Sequence, residues 1–110
     1  MENSLRIRIK DGVVRGFIAE VFQHLGVAQD DAWIAADELV RADLRGVESH
    51  GVNNLWQYVD PLRGGKLNPT PDIEVLRSSP VLASLDGDGG MGLVVGTRAM
   101  EMCISMAREY

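Results

Sequence analysis

Residues 42–52 read ADLRGVESHGV, and this stretch decides how the chain of 110 residues is organised. A pattern typical of an amphipathic helix precedes it, and its two glycines predict a turn. Ser49 and His50 stand side by side in that turn. Histidine is the side chain whose unperturbed pKa lies closest to neutrality, and a neighbouring hydroxyl can orient it or relay its proton. The turn is therefore a candidate catalytic site.

Two amphipathic helices are predicted before the turn. The first spans about 11–25, with Asp11 as a candidate N-cap and a glycine just past its end. The second spans about 30–45, with acidic residues at its positive N-terminal end. Ahead of both, apolar and basic residues alternate over 5–10 and predict a half-buried strand.

The elements after the turn are a third helix, two short strands and a last helix. The third helix is predicted to start near residue 51, with Ser49 as a candidate cap, and to end or kink at Pro61, which lacks a backbone N–H. The strands are expected at about 73–76 and 81–85. The last helix, from about residue 91, is apolar over most of its circumference, which is typical of a helix buried on several sides. Because few residues precede it, we expect part of this apolar surface to be exposed.

Composition excludes several classes of protein. A net charge of −5 and a pI near 4.9 argue against a nucleic-acid surface, which needs clustered Lys and Arg. The N-terminus lacks the apolar core of a signal peptide, and no apolar run is long enough to span a bilayer. The single cysteine, Cys103, excludes an internal disulfide, and its apolar neighbours predict a buried, inert thiol. We expect a cytoplasmic protein without nucleic-acid or membrane partners.

The stretch DLRGVESHGV, followed by an aromatic helix with the sequence LWQY and a glycine-rich exit, resembles the malate/L-lactate dehydrogenase family. Members are NAD(P)-dependent oxidoreductases that lack a Rossmann fold. The resemblance implies an α+β fold, with a helical N-terminal subdomain over about 11–63 and the start of a mixed, incomplete sheet over about 73–110. Because family members are much longer, we expect residues 1–110 to be only the N-terminal part of such a domain.

The resemblance also implies an activity: hydride transfer between NAD or NADP and a small 2-hydroxy or 2-oxo acid, malate- or lactate-like. The family's matching His is the proton donor to substrate and its matching Ser belongs to the relay, which assigns these catalytic roles to His50 and Ser49. Asn54 stands where the family often has an arginine that binds the substrate carboxylate. An amide can donate hydrogen bonds but cannot neutralise that charge. A homodimer is implied; no residue is assigned to the cofactor, and no metal site is expected.

Residues 87–92 formally match G-x-G-x-x-G after a strand and at the start of a helix, as in a dinucleotide-binding fingerprint. The acidic ribose ligand should follow at the end of a second strand, but the chain ends within the helix. We interpret the glycines as a structural turn. Two alternatives to the enzyme remain: an inactive remnant that acts as an interaction module, and a small dinucleotide-binding domain.

Overall fold

The computed structural model describes residues 7–110. Its helices are α1 (Asp11–His24), α2 (Gln29–Leu44), α3 (Leu55–Arg63) and α4 (Gly92–Glu109), and its strands are β1 (Glu74–Ser79) and β2 (Leu82–Asp86). Short 3₁₀ turns at Glu48–His50 and Val52–Asn54 connect α2 to α3. The predicted α+β class is confirmed. Within residues 7–110 the sheet consists of two antiparallel strands, so its expected mixed character stays a prediction.

The hydrophobic core lies between α1 and α2. Ile18 and Phe22 of α1 are fully buried against Leu39 and a row of alanines on α2. Removing an aliphatic or aromatic side chain of this size from water contributes about 1.5–3 kcal/mol. The alanines let the two helices approach closely, and Val94 of α4 closes the same core.

Arg15 ties α1 to α2 at the edge of this core. Its Nε donates to Asp37 Oδ1 at 2.9 Å and its Nη1 to Asp11 Oδ2 at 3.1 Å. The guanidinium also lies over the Trp33 ring, 5.6 Å from the centroid. Asp11 is thus the first residue of α1 and an ion-pair partner rather than the predicted N-cap; Lys10 occupies the cap position without a side-chain hydrogen bond.

The strand predicted over residues 5–10 is not formed by residues 7–10, the part of it that the structure describes. Its first two residues lie outside the described part of the chain, and residues 7–10 are exposed and form no strand. Alternation of apolar and basic residues favours a half-buried strand only where a partner strand is present, and none among residues 7–110 pairs with this segment.

Pro61 lies inside α3, which continues through Leu62 to Arg63, so of the two predicted effects the end of the helix was wrong and the kink stays a prediction. The proline removes a single intrahelical hydrogen bond only two residues before the end. Its own carbonyl accepts hydrogen bonds from the N–H groups of Lys66 at 2.8 Å and Leu67 at 3.2 Å, which close the helix.

The last helix is confirmed, and so is its exposed apolar surface. Val94 is buried, but Met100 is 58% and Ile104 45% exposed. Cys103 is exposed, so its predicted burial was wrong: it lies on a stretch of α4 that contacts the core less than Val94 does. None of the helices within residues 7–110 is both long enough and apolar enough to cross a membrane.

An ion pair anchors α4 to α2. Arg98 Nη2 donates to Asp31 Oδ1 at 3.1 Å, and Nη1 donates to Glu101 at 3.3 Å. The hydrogen bond to Asp31 is the main reason why the pKa of the Arg98 guanidinium is raised; partial burial opposes it, and Glu101 adds to it. The ion pair with Asp31 therefore favours the charged form of the Arg98 guanidinium.

Candidate active site

The turn after α2 is set by the way that helix ends. Gly46 has a φ of 81°, a conformation that favours glycine. The Val47 N–H donates to the Ala42 carbonyl at 2.8 Å, and the Gly46 N–H donates to the Asp43 carbonyl at 3.0 Å. This pair of bonds is a Schellman motif, which reverses the chain directly after a helix. Ser49 and His50 then lie in the first 3₁₀ turn, close to the end of α2.

Ser49 and His50 form a hydrogen-bonded pair. Ser49 Oγ and His50 Nδ1 are 2.9 Å apart, and both side chains are exposed. Ser49 makes no cap for α3, which begins only at Leu55, so that part of the prediction was wrong. A second 3₁₀ turn separates the pair from α3. His50 Nε2 has no protein partner within residues 7–110, which leaves one ring nitrogen free.

Asn54 holds the backbone beside this pair. Its Nδ2 donates to the Ser49 carbonyl at 2.8 Å. Because Asn54 is the last residue of the second 3₁₀ turn, the bond spans both turns and draws the start of α3 toward Ser49. One of its two amide hydrogens is thus engaged by the protein itself.

Asp43, in the last turn of α2, holds the same segment from the other side. Its Oδ2 accepts a hydrogen bond from the Val52 N–H at 3.1 Å. Gly51 is buried beneath this contact, and a Cβ at that position would overlap the Asp43 carboxylate. Sequence reasoning missed Asp43 because the bond joins a helix side chain to a backbone group nine residues on. The only hint in the sequence is the Gly51 that follows His50.

A polar cavity of about 440 Å³ adjoins the turn. Its lining residues are Ile7, Arg8, Asp43, Glu48 and Asn53. A groove of about 490 Å³ lies between Glu38, Tyr58 and one side of α4. His50 lines neither of these two cavities.

The glycine-rich turn before α4 is held together by its own polar groups and by close packing. Asp88, with a φ of 53°, accepts hydrogen bonds at Oδ2 from the Asp72 N–H at 2.8 Å and from Asn68 Nδ2 at 3.1 Å. A Cβ on Gly90 would lie 2.7 Å from Pro71 Cγ, so this glycine is required by packing. Two N–H groups of the turn are engaged within it, since Gly90 donates to the Gly87 carbonyl at 3.0 Å and Asp88 donates to Asp86 Oδ1 at 2.9 Å, which leaves fewer of them for a phosphate. The geometry supports the structural interpretation of residues 87–92.

No metal centre is formed by the residues that the structure describes: within 7–110, no three His, Cys, Asp or Glu side chains come together. Arg45 and Arg63, the first basic residues before and after the turn in sequence, are exposed and form no ion pair in this part of the chain. The site therefore consists of the Ser49–His50 pair and the two groups that hold its backbone, Asp43 and Asn54.

Comparison with known proteins identifies the family. The sequence matches malate/L-lactate dehydrogenase over residues 9–110. The chain belongs to this family. It is 48% identical over 103 residues to malate dehydrogenase of Pyrococcus horikoshii, a match that covers 94% of this chain and 29% of that protein. It is 46% identical over 92 residues to L-sulfolactate dehydrogenase of Methanocaldococcus jannaschii, covering 84% of this chain and 27% of that one.

Solved structures give the same result. The P. horikoshii malate dehydrogenase structure superposes with a TM-score of 0.93 at 47% identity, covering 97% of this chain and 31% of that one. The M. jannaschii sulfolactate dehydrogenase structure superposes with a TM-score of 0.88 at 42% identity, covering 93% and 30%. The chain thus spans less than a third of these relatives, consistent with the expected match to an N-terminal part.

Proposed function

We propose that this chain supplies the proton-transfer residues of an oxidoreductase that moves a hydride between NAD(P) and a small 2-hydroxy or 2-oxo acid. The observation that carries the proposal is the Ser49–His50 pair, with 2.9 Å between Oγ and Nδ1 and a free Nε2. Two relatives support the substrate class, since one is named for malate and the other for sulfolactate, and both are 2-hydroxy acids.

The proposed chemistry of His50 follows from its two ring nitrogens. Adding a hydride to the carbonyl carbon of a 2-oxo acid leaves an alkoxide that requires a proton, and an imidazolium can donate it from Nε2. Ser49, on Nδ1, orients the ring and completes the relay. In the oxidation direction, the neutral imidazole takes the hydroxyl proton of the 2-hydroxy acid. A nicotinamide cofactor would supply or accept the hydride. We assign no residue of this chain to the cofactor.

We propose that Asn54 borders the substrate, with a weaker hold on the carboxylate than a guanidinium would have. One amide hydrogen is engaged by the Ser49 carbonyl, so a second N–H and Oδ1 are left for a ligand. These groups can orient a substrate but cannot neutralise it. The proposal therefore requires a cation from elsewhere in the active site to balance the acid.

Two further expectations belong to the proposal. The family resemblance implies a homodimer, and the exposed apolar side chains of α4, including Met100 and Ile104, are compatible with a protein partner on that side. The single cysteine is compatible with a reducing compartment, and we propose the cytoplasm.

The decisive experiment is His50→Ala in the active enzyme that contains this chain. Turnover should fall by about 10²–10⁴-fold, the usual contribution of a general acid, while the Kd for NADH or NADPH stays the same. Ser49→Ala should lower turnover less, because it leaves the proton donor in place. His24→Ala is the matched control, since His24 is exposed at the end of α1. Unchanged turnover in His50→Ala would exclude the proposed mechanism.

A further inference from the structure

Asp43 occupies an unfavourable position for a carboxylate. It lies in the last turn of α2, where the partial negative charge of the helix end repels an anion. Nothing in α2 compensates this, because the carboxylate accepts its hydrogen bond from outside the helix, at the Val52 N–H. Any stabilising effect of the Asp43 carboxylate therefore acts on the backbone at Val52, two residues after His50.

The backbone around His50 is held at two points, one before and one after the histidine. Before it, the Ser49 carbonyl accepts a hydrogen bond from Asn54 Nδ2 at 2.8 Å. After it, the Val52 N–H donates to Asp43 Oδ2 at 3.1 Å. Between these points the backbone has only the bonds of 3₁₀ turns, such as the Gly51 N–H to the Glu48 carbonyl at 3.2 Å, and 3₁₀ bonds have poor geometry. The two side-chain bonds thus determine where the exposed imidazole projects.

The absence of a side chain at Gly51 leaves room for the Asp43 carboxylate. It is buried although its neighbour His50 is exposed, and a Cβ there would overlap the carboxylate atoms of Asp43. Any other residue at position 51 would displace that carboxylate or the backbone that carries His50. The Asp43 carboxylate therefore occupies the space that a side chain at position 51 would need.

We propose that Asp43 is a positioning residue for the Ser49–His50 pair: its carboxylate, seated on Gly51 and bonded to the Val52 N–H, sets the direction of the His50 imidazole. The catalytic meaning of this role rests on the function proposed above. The positioning itself is a property of the 110-residue chain and can be measured without activity.

The first test measures the imidazole nitrogens of His50 by NMR in the 110-residue chain. His24 is exposed and its imidazole forms no hydrogen bond within residues 7–110, so it is an internal reference for a histidine ring without a partner. In the unmodified chain, the His50 nitrogen shifts should differ from those of His24 because Nδ1 is bonded to Ser49. Asp43→Ala should move the His50 shifts toward those of His24.

Two variants separate positioning from a general loss of structure. Asp43→Asn keeps an oxygen that can accept the Val52 hydrogen bond and should restore the shifts of the unmodified chain. Asp30→Ala removes a carboxylate from the other end of α2, where it forms no ion pair in the described part of the chain, and should leave His50 unchanged. If Asp43→Ala moves the Val52 amide signal but not the His50 ring signals, the proposal is wrong.

Gly51→Ala decides the question if Asp43→Ala does not fold. Its added methyl should displace the carboxylate and move the His50 shifts as well. In the double variant with Asp43→Ala, the methyl has room, so the two effects should not add. A folded Gly51→Ala chain with unchanged His50 shifts would contradict the proposal.

A kinetic arm in the active enzyme distinguishes this proposal from the function on which it rests. Asp43→Ala should lower kcat by about 10- to 100-fold with a smaller change in KM, as expected for a misplaced catalytic group, and Asp43→Asn should recover most of it. If His50→Ala is inactive but Asp43→Ala retains full kcat, the positioning role fails and the proposed function stands. If His50→Ala is fully active, the proposed function fails, whatever the NMR result.

Discussion

Two glycine-rich turns, each leading toward a helix, look alike in the sequence and differ in the structure. The turn over residues 46–54 holds its backbone with Asp43 and Asn54 and leaves the Ser49–His50 side chains exposed. In the turn over residues 86–92, the Asp88 carboxylate accepts hydrogen bonds from the Asp72 N–H and from Asn68. The first turn therefore offers a free ring nitrogen to a ligand, whereas the second uses its polar groups to stabilise the fold.

The difference shows that a glycine motif by itself does not indicate whether a turn lies at a candidate site or only stabilises the fold. Gly90 fits because a proline ring lies against it, and Gly51 fits because a carboxylate does. Both positions leave no room for a side chain, yet only Gly51 adjoins the exposed Ser49–His50 pair. Substitutions in the second turn should therefore reduce stability, while substitutions of the pair in the first turn should reduce activity.

The largest effect on stability is expected for Gly90→Ala. Its Cβ would lie 2.7 Å from Pro71 Cγ and 3.2 Å from the Gly87 carbonyl oxygen, and neither a proline ring nor a backbone can move easily. Overpacking of this kind costs about 1–3 kcal/mol. The measurement is the free energy of unfolding in urea. Gly92→Ala is the matched control: a Cβ there meets nothing within 4 Å, so stability should stay the same or rise. Equal losses in both variants would refute the packing explanation.

A smaller loss is expected for Asp88→Ala. The variant removes the acceptor for the Asp72 and Asn68 hydrogen bonds and places alanine at a φ of 53°, so unfolding should become easier by about 1–2 kcal/mol. Asp88→Asn keeps an acceptor oxygen, and asparagine tolerates this backbone conformation, so it should lose less. The same urea titration compares them. Should the two variants be equally unstable, the hydrogen bonds of Asp88 would not be what holds the turn.

The smallest effect is expected for cofactor binding by the second turn. Fluorescence titration of the 110-residue chain with NADH and NADPH should give no binding in the micromolar range, because two N–H groups of the turn are engaged within it and the sequence after it shows no acidic ribose ligand. Gly92→Ala is again informative, since a true fingerprint would need the backbone at this position to approach a pyrophosphate. Micromolar binding that Gly92→Ala weakens would reverse the comparison and support the small dinucleotide-binding alternative.

Local patterns predicted α1 to α4 and the strands β1 and β2, though not the outcome for residues 7–10, because such patterns depend on residues that are near in sequence. Helical spacing located α1 and α2, and the apolar residues of α4 correctly indicated a helix with too little cover. The errors arose where the tertiary structure differed from what the neighbouring residues indicated. Pro61 is tolerated because Lys66 and Leu67 close the helix beyond it, and Cys103 is exposed although its apolar neighbours indicated burial.

The sequence by itself determined the family, the helical order and the adjacency of Ser49 and His50, since adjacency along the chain and periodicity of apolar residues need no tertiary information. The catalytic roles assigned to that pair stay predictions. Only the tertiary structure decided that Asp43 reaches Val52, that Asn54 holds the Ser49 carbonyl, and that Asp88 closes its turn. Each of these is a hydrogen bond between a side chain and a backbone group five or more residues away, and the path of the chain between them brings the two groups together, so helix and strand periodicity could not indicate it.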